Sequence, residues 1–311
     1  MKTRSKRISK LNLRNKKNRR RAPPTIFGIV AAIFLIFLFF LKFTTKLWSG
    51  GSKFSFVIAG KNGDLVVAAF DPPSGEIATV TIPGTTQLQV SRQLGSWKAK
   101  SIWQLGENEK LGGELLRETI IRNFSFPILG WADSRGMGLT GGGFGSLVKA
   151  VFSFYKSSLG FGDKLRIALF SLGVGNPKRT EINLAETALL KKTRLVDGED
   201  GYLPLGGLTD ELLVIFSEPA ISKKGLKAVI KDATGRNLVG QAVGETLEVV
   251  GVKVAAVEKG DSENFDCLVL GKEVVLVRKI GKLFSCRTEN KAPEGNYDLE
   301  MHLGELFGRR Y

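Results

Sequence analysis

The sequence predicts an α/β chain built in α+β layers, carried behind one N-terminal transmembrane helix. Three observations predict it. Residues 26–41 read IFGIVAAIFLIFLFFL, sixteen positions without a charge. Beyond them, short β-branched runs alternate with turns and with stretches of helical spacing. The last 86 residues then repeat strand and helix in a regular order.

The apolar run explains the charge. The 311 residues are 43% hydrophobic and 24% charged, a globular balance, yet the net charge is +16. Eleven Lys/Arg and no acid lie within residues 1–21, and Lys42 and Lys46 flank the apolar run. The remainder holds 33 basic residues against 30 acidic ones. The basicity therefore belongs to a tail, residues 1–24. Such a tail sets topology and touches anionic lipid. It lacks aromatic interleaving and any helix-turn-helix pattern, which argues against nucleic acid. With Thr25 and Phe43 the run makes a span over 25–43, and eighteen helical residues cover roughly 27 Å, enough for a bilayer core. A cleaved signal peptide is the alternative, but Lys42-Phe43-Thr44-Thr45-Lys46 offers no small-x-small cleavage site. The expectation is a single-pass signal anchor in the cell membrane, with the N-terminus cytoplasmic and the remainder extracytoplasmic.

After a linker at 49–53, strands are expected at 54–59, 64–70, 76–82 and 87–90, with Asp71-Pro72-Pro73-Ser74-Gly75 as a turn. Leu115, Leu116, Thr119, Ile120 and Phe124 have helical spacing over 113–124. The stretch 136–146 contains a formal G-x-G-x-x-G at Gly136, Gly138 and Gly141. It follows no convincing strand and precedes no acidic ribose partner, so it is expected to be a flexible loop. Phe144, Leu147, Val148, Val151, Phe152, Tyr155 and Leu159 make one apolar helical stripe, expected in the core, with bilayer contact as the alternative. Residues 164–172 suit a buried strand, 180–192 a helix, 194–202 a hairpin on the Asp197-Gly198 turn and 208–216 a helix. A boundary at 219–225 separates domains over 54–218 and 226–311. The second reads as β-α-β-β-α-β, a two-layer unit, with helices at 238–250 and 272–284.

Two stretches carry a family resemblance. Residues 64–86, DLVVAAFDPPSGEIATVTIPGTT, resemble the LytR-CpsA-Psr family, in which an Asp opens a strand and the following strand ends in an Ile-Pro-Arg-Asp-Thr-like motif. Residues 229–240 and 251–257 resemble the LytR C-terminal domain. The resemblance implies transfer of glycopolymer from a polyprenyl-pyrophosphate carrier to peptidoglycan, in the cell wall, with arginines on the pyrophosphate and aspartates on Mg²⁺. Asp64 matches one such aspartate. Gly84 and Thr85 stand where the motif has Arg and Asp, and neither holds phosphate or metal. A later Arg-rich segment of the family has no match here, though Arg117, Arg122 and Arg135 lie nearby.

Other chemistry is thin. His302 is the single histidine, which excludes most His-based catalysis and zinc sites; it is expected on the polar face of its strand with Asp298 and Glu300. Glu107 and Glu109 are expected in a solvated loop. Cys267 and Cys286 are the two cysteines, suited outside the membrane to a disulfide, with two separately buried thiols as the alternative. The expectation is therefore a membrane-anchored envelope protein with no catalytic residue and no cofactor, binding envelope glycopolymer or a partner protein. The alternative is a divergent glycopolymer–peptidoglycan phosphotransferase that uses Mg²⁺ on Asp64.

Overall fold

The computed structural model describes residues 44–311, so the expected basic tail and the expected span at 25–43 lie outside the described residues. Among the described residues no helix is long and apolar enough to cross a membrane. Phe43–Tyr311 form one compact unit that contains two five-stranded sheets.

The first sheet starts as a meander. Strands β1 (Phe54–Ala59), β2 (Leu65–Asp71) and β3 (Glu76–Ile82) pair antiparallel, with Phe54 opposite Phe70 and Leu65 opposite Ile82. A small hairpin follows, β4 (Gln87–Gln89) with β5 (Ser96–Lys98), and then helices α1 (Ala99–Asn108) and α2 (Gly113–Phe124). β6 (Gly130–Ala132) returns parallel to β1. Helices α3 (Phe144–Phe152) and α4 (Phe161–Gly173) precede β7 (Arg179–Asn183), which lies parallel to β3. The order is β6-β1-β2-β3-β7. Alternate residues of β1 and β2 point to opposite faces. Phe54, Phe56 and Phe70 share one face and stack with Trp48, whose centroid lies 5.6 Å from Phe54, and with Phe170 of α4. This aromatic block fills the space between sheet and helix.

Three sequence expectations change here. Residues 164–172 belong to helix α4, not to a strand. Lys164, Ile167, Ala168 and Ser171 are buried while Leu169 and Leu172 are exposed, a helical repeat that an apolar run conceals. Residues 180–192 are not a helix but hold most of β7, which pairs parallel with β3 through Ile77–Thr81, and the start of β8 (Leu190–Arg194). Glu107 lies within α1 and Glu109 caps it, so neither sits in a loop. Ile102 and Leu105 provide the inward face of that helix.

β8 pairs antiparallel with β9 (Asp200–Pro204) across the expected Asp197-Gly198 turn. Two short helices, α5 (Asp210–Phe216) and α6 (Pro219–Ser222), lead to the second sheet. That sheet runs through β10 (Lys227–Asp232), α7 (Val239–Val250), β11 (Lys253–Lys259), β12 (Cys267–Gly271), α8 (Val274–Phe284), β13 (Arg287–Glu289) and β14 (Leu299–Leu303), and α9 (Glu305–Arg310) closes the chain. The order is β11-β10-β14-β12-β13, the expected β-α-β-β-α-β path with an added edge strand, β13. Cys267 at the start of β12 is disulfide-bonded to Cys286 just beyond α8, with Cα atoms 5.0 Å apart.

Candidate functional site

The site that the sequence singles out is the turn after β3. Pro83 fixes its entry, and the Pro83 carbonyl accepts the Thr86 N–H at 2.9 Å. Asp64, at the start of β2, reaches across from the neighbouring turn. Its Oδ1 accepts the Gly84 N–H at 2.7 Å. Half of that carboxylate therefore serves as a staple between two turns. The carbonyls of Gly84 and Thr86 in turn accept the N–H groups of Lys100 and Ala99, at 3.0 and 2.8 Å. These are the first two donors of α1, so backbone oxygen already occupies part of a helix end that could otherwise draw an anion.

Gly84 is glycine for a steric reason. A Cβ there would lie 2.8 Å from the Gly63 carbonyl oxygen and 3.2 Å from Lys100 Cβ. An arginine at this position has no exit from the present backbone. The hairpin of β8 and β9 then covers the turn. Thr86 bridges to Tyr202, and the Tyr202 N–H approaches the Thr85 carbonyl at 3.4 Å. Gly201 allows that contact, since a Cβ would stand 2.5 Å from Thr85 O.

One charge beside the turn is paired. Lys98 of β5 pairs with Asp197 at 2.6 Å and also with Glu199, both in the β8–β9 turn. Hydrogen bonds to Asp197 and Glu199 hold the Lys98 ammonium above the usual lysine value. The Lys98 bond holds the Asp197 carboxyl below its usual value. No sequence spacing announces this cluster, because its members lie about a hundred residues apart (|i−j| of 101 for Lys98 and Glu199). The one available signal is the run of acids Asp197, Glu199 and Asp200.

Asp64 commits one of its oxygens to Gly84, and among the described residues no group of three or more His, Cys, Asp or Glu is gathered into a metal-holding cluster. The arginines near in sequence have other tasks. Arg117 is buried in α2 and donates to the Leu283 carbonyl at 2.6 Å, to the Ile128 carbonyl at 3.2 Å and to Ser285 Oγ at 3.0 Å. Arg122 donates to the Tyr311 carbonyl at 2.9 Å, and Arg135 to the Phe154 carbonyl.

The remaining candidates fall apart from this turn. Gly136 and Gly138 lie in an ordered 3-10 turn, Ser134–Leu139, rather than a flexible loop. Cβ atoms there would meet Ala132 Cβ at 2.6 Å and Ala150 Cβ at 2.8 Å, so these glycines serve close packing and not phosphate. His302 lies on the polar face of β14, with Nε2 2.6 Å from Glu300 Oε1. Glu300 itself is buried, where its sequence neighbours predict an exposed face, because residue 294 and Lys231 close over it. A 230 Å³ surface pocket beside Cys267, Arg287, Glu289 and His302 is lined by charges of both signs.

No family model matches the chain, and no curated protein matches it. Among solved structures it is similar to B. subtilis TagV, at 12% identity and a TM-score of 0.35, over 50% of this chain and 91% of that one. A second is the LytR-CPS2A-psr family protein YwtF (TagT) with bound octaprenyl pyrophosphate lipid, at 13% identity and a TM-score of 0.35, over 51% of this chain and 87% of that one. A third is Lin1025 from Listeria innocua, at 11% identity and a TM-score of 0.36, over 50% and 92%. TagV and TagT are LytR-CpsA-Psr family proteins. At these TM-scores the likeness decides neither the fold nor the activity of the present chain.

Proposed function

We propose that this chain is a membrane-anchored, extracytoplasmic cell-envelope protein that binds envelope glycopolymer or a partner protein without catalysing transfer. The Gly84 turn carries the reading. At the place where the resemblance puts phosphate and metal chemistry, the backbone is closed on itself, one oxygen of its carboxylate is engaged and Lys98 is paired with Asp197 and Glu199. Arginine forks and paired carboxylates are what a pyrophosphate–Mg²⁺ substrate requires, and the turn supplies neither. The apolar run at 26–41, the basic tail before it and the absence of acids before residue 47 support the anchored, N-in topology.

The test is direct. Full-length protein reconstituted in vesicles is given a polyprenyl-pyrophosphate-linked glycopolymer, peptidoglycan and Mg²⁺. The expected result is no transferred polymer, with retention of the protein on purified glycopolymer or on one defined envelope partner. Magnesium-dependent transfer that disappears in Asp64→Ala would establish the phosphotransferase instead.

A further inference from the structure

The aromatic stripe of α3 does not enter the core as a whole. Leu147, Ala150 and Val151 are buried, but Phe144 is 70% exposed, Phe152 66% and Val148 40%. Tyr155 and Leu159 lie beyond the end of the helix. Between the helix end and Tyr155, Phe154 is 96% exposed. A phenylalanine left in water on a frayed loop would mean little. This one is held in place. The Asp133 N–H donates to the Lys156 carbonyl at 2.9 Å, the Ser158 N–H to the Trp131 carbonyl at 3.0 Å, and Arg135 to the carbonyl of Phe154 itself. The Lys164 ammonium sits 3.6 Å from the centre of the Tyr155 ring. The loop is thus clamped on both sides of an outward-pointing ring.

The neighbouring helix extends the surface. α3 and α4 pack together, with the Phe152 and Phe161 rings 5.8 Å apart, and α4 exposes Leu169 and Leu172. Two further observations say what covers this face. The first is where the described chain begins. Lys46, Leu47 and Trp48 donate their N–H groups to the Asp163 carboxylate at 2.9–3.2 Å, and the Thr44 carbonyl lies against Gly160. The first described residues are therefore pinned to the N-terminus of α4, which Phe161 opens with its ring against Phe152. The second is charge. From residue 134 to residue 180 the one acid is Asp163, which is fully buried, while Arg135, Lys149 and Lys156 are exposed; Lys156 pairs with the half-buried Glu107, and Asp133 is half-buried beside the same loop. An apolar aromatic face whose rim carries the exposed cations Arg135 and Lys149 matches the interfacial zone of an anionic bilayer.

We infer that Phe144, Val148, Phe152 and Phe154 rest in the headgroup–acyl boundary of the membrane, as a second, peripheral contact that fixes the orientation of the folded unit. The inference rests on the reading of residues 25–43 as a span. It adds that the unit lies on the bilayer rather than standing off it on a linker, and that the turn at Gly84 is held at a set height above the lipid.

The experiment uses the full-length chain in vesicles of phosphatidylglycerol and phosphatidylethanolamine. Nitroxide labels are placed one at a time through Phe154→Cys, Val148→Cys and, as a water reference in the β8–β9 turn, Val196→Cys. The three sites are exposed, so the fold tolerates the labels, and the native cysteines are already paired. At residues 148 and 154, collisions with dissolved oxygen are expected to rise several-fold over collisions with a water-soluble nickel complex, relative to residue 196. The Phe152→Ser/Phe154→Ser chain is expected to lose this preference at 148 while remaining resistant to carbonate extraction. Labels at 148 and 154 as water-accessible as the label at 196 overturn the peripheral contact alone. Spin–spin broadening between copies at 154 assigns the face to a second copy and overturns it equally. Release of the unmodified chain by carbonate overturns the span, and this inference with it.

Discussion

Gly84 shows how much one position can decide. The absence of a side chain there lets the Gly63 carbonyl and Lys100 close on the turn, and it lets Asp64 reach the Gly84 N–H. Gly84→Ala places a methyl group 2.8 Å from the Gly63 oxygen, so the turn must open or the β1–β2 turn must shift. The expected loss is about 2 kcal/mol, as for other overpacked sites, read as a lower urea midpoint at unchanged slope. The residue types at 84 and 85 alone already argued against phosphate and metal binding. The closure by Gly63 and the cover by Tyr202 were not legible, because they join residues brought together only by the sheet and by the β8–β9 hairpin.

At the scale of elements, burial on a sheet face can run against the polarity of the residue. Glu300 lies on β14 between Leu299 and Met301 and is 1% exposed. Burial alone would raise its carboxyl, but hydrogen bonds from Lys231, the Glu294 N–H and His302 outweigh burial and hold it below the ordinary glutamate value of 4.5. A depressed folded value means that the folded state binds fewer protons than the unfolded chain as pH falls. The stabilisation is present above the ordinary glutamate value and is lost as pH drops through the folded one. Thermal melts across that acid range should show Glu300→Gln less stable than the parent at neutral pH, by ~2 kcal/mol, with the difference shrinking on acidification. A difference that is constant with pH would mean that the carboxylate charge plays no part. Alternation in β14 marked Leu299, Met301 and Leu303 as core. It could not mark Glu300, since the loop that covers it pairs through space. The same limit explains α4, where an apolar nine-residue run fits strand and helix alike until the Asp163 carboxylate and the neighbouring aromatic block select the helix.

The described residues form one unit in which polar side chains cross between the two sheets. Arg117 links α2 to the end of α8, Arg122 reaches the terminal carbonyl of Tyr311, and Arg310 pairs with Glu118 at 3.5 Å. Arg117→Ala would leave the Leu283 and Ile128 carbonyls buried without this donor, at about 3 kcal/mol. The four tryptophans all precede residue 132 and so report on the first sheet, while circular dichroism reports on both. The two urea transitions should move together to lower concentration; separation of the tryptophan transition from the dichroism transition would show that the sheets unfold independently. By itself the sequence determined the composition of each layer, the β-α-β-β-α-β path of the second sheet and the loss of charge at 84 and 85, because these follow from local periodicity and residue type. Only the tertiary structure decided that the Gly84 turn is closed, that Lys98 is paired with the β8–β9 turn and that the α3 aromatics face outward, because each depends on which distant surfaces the packed sheets bring into contact.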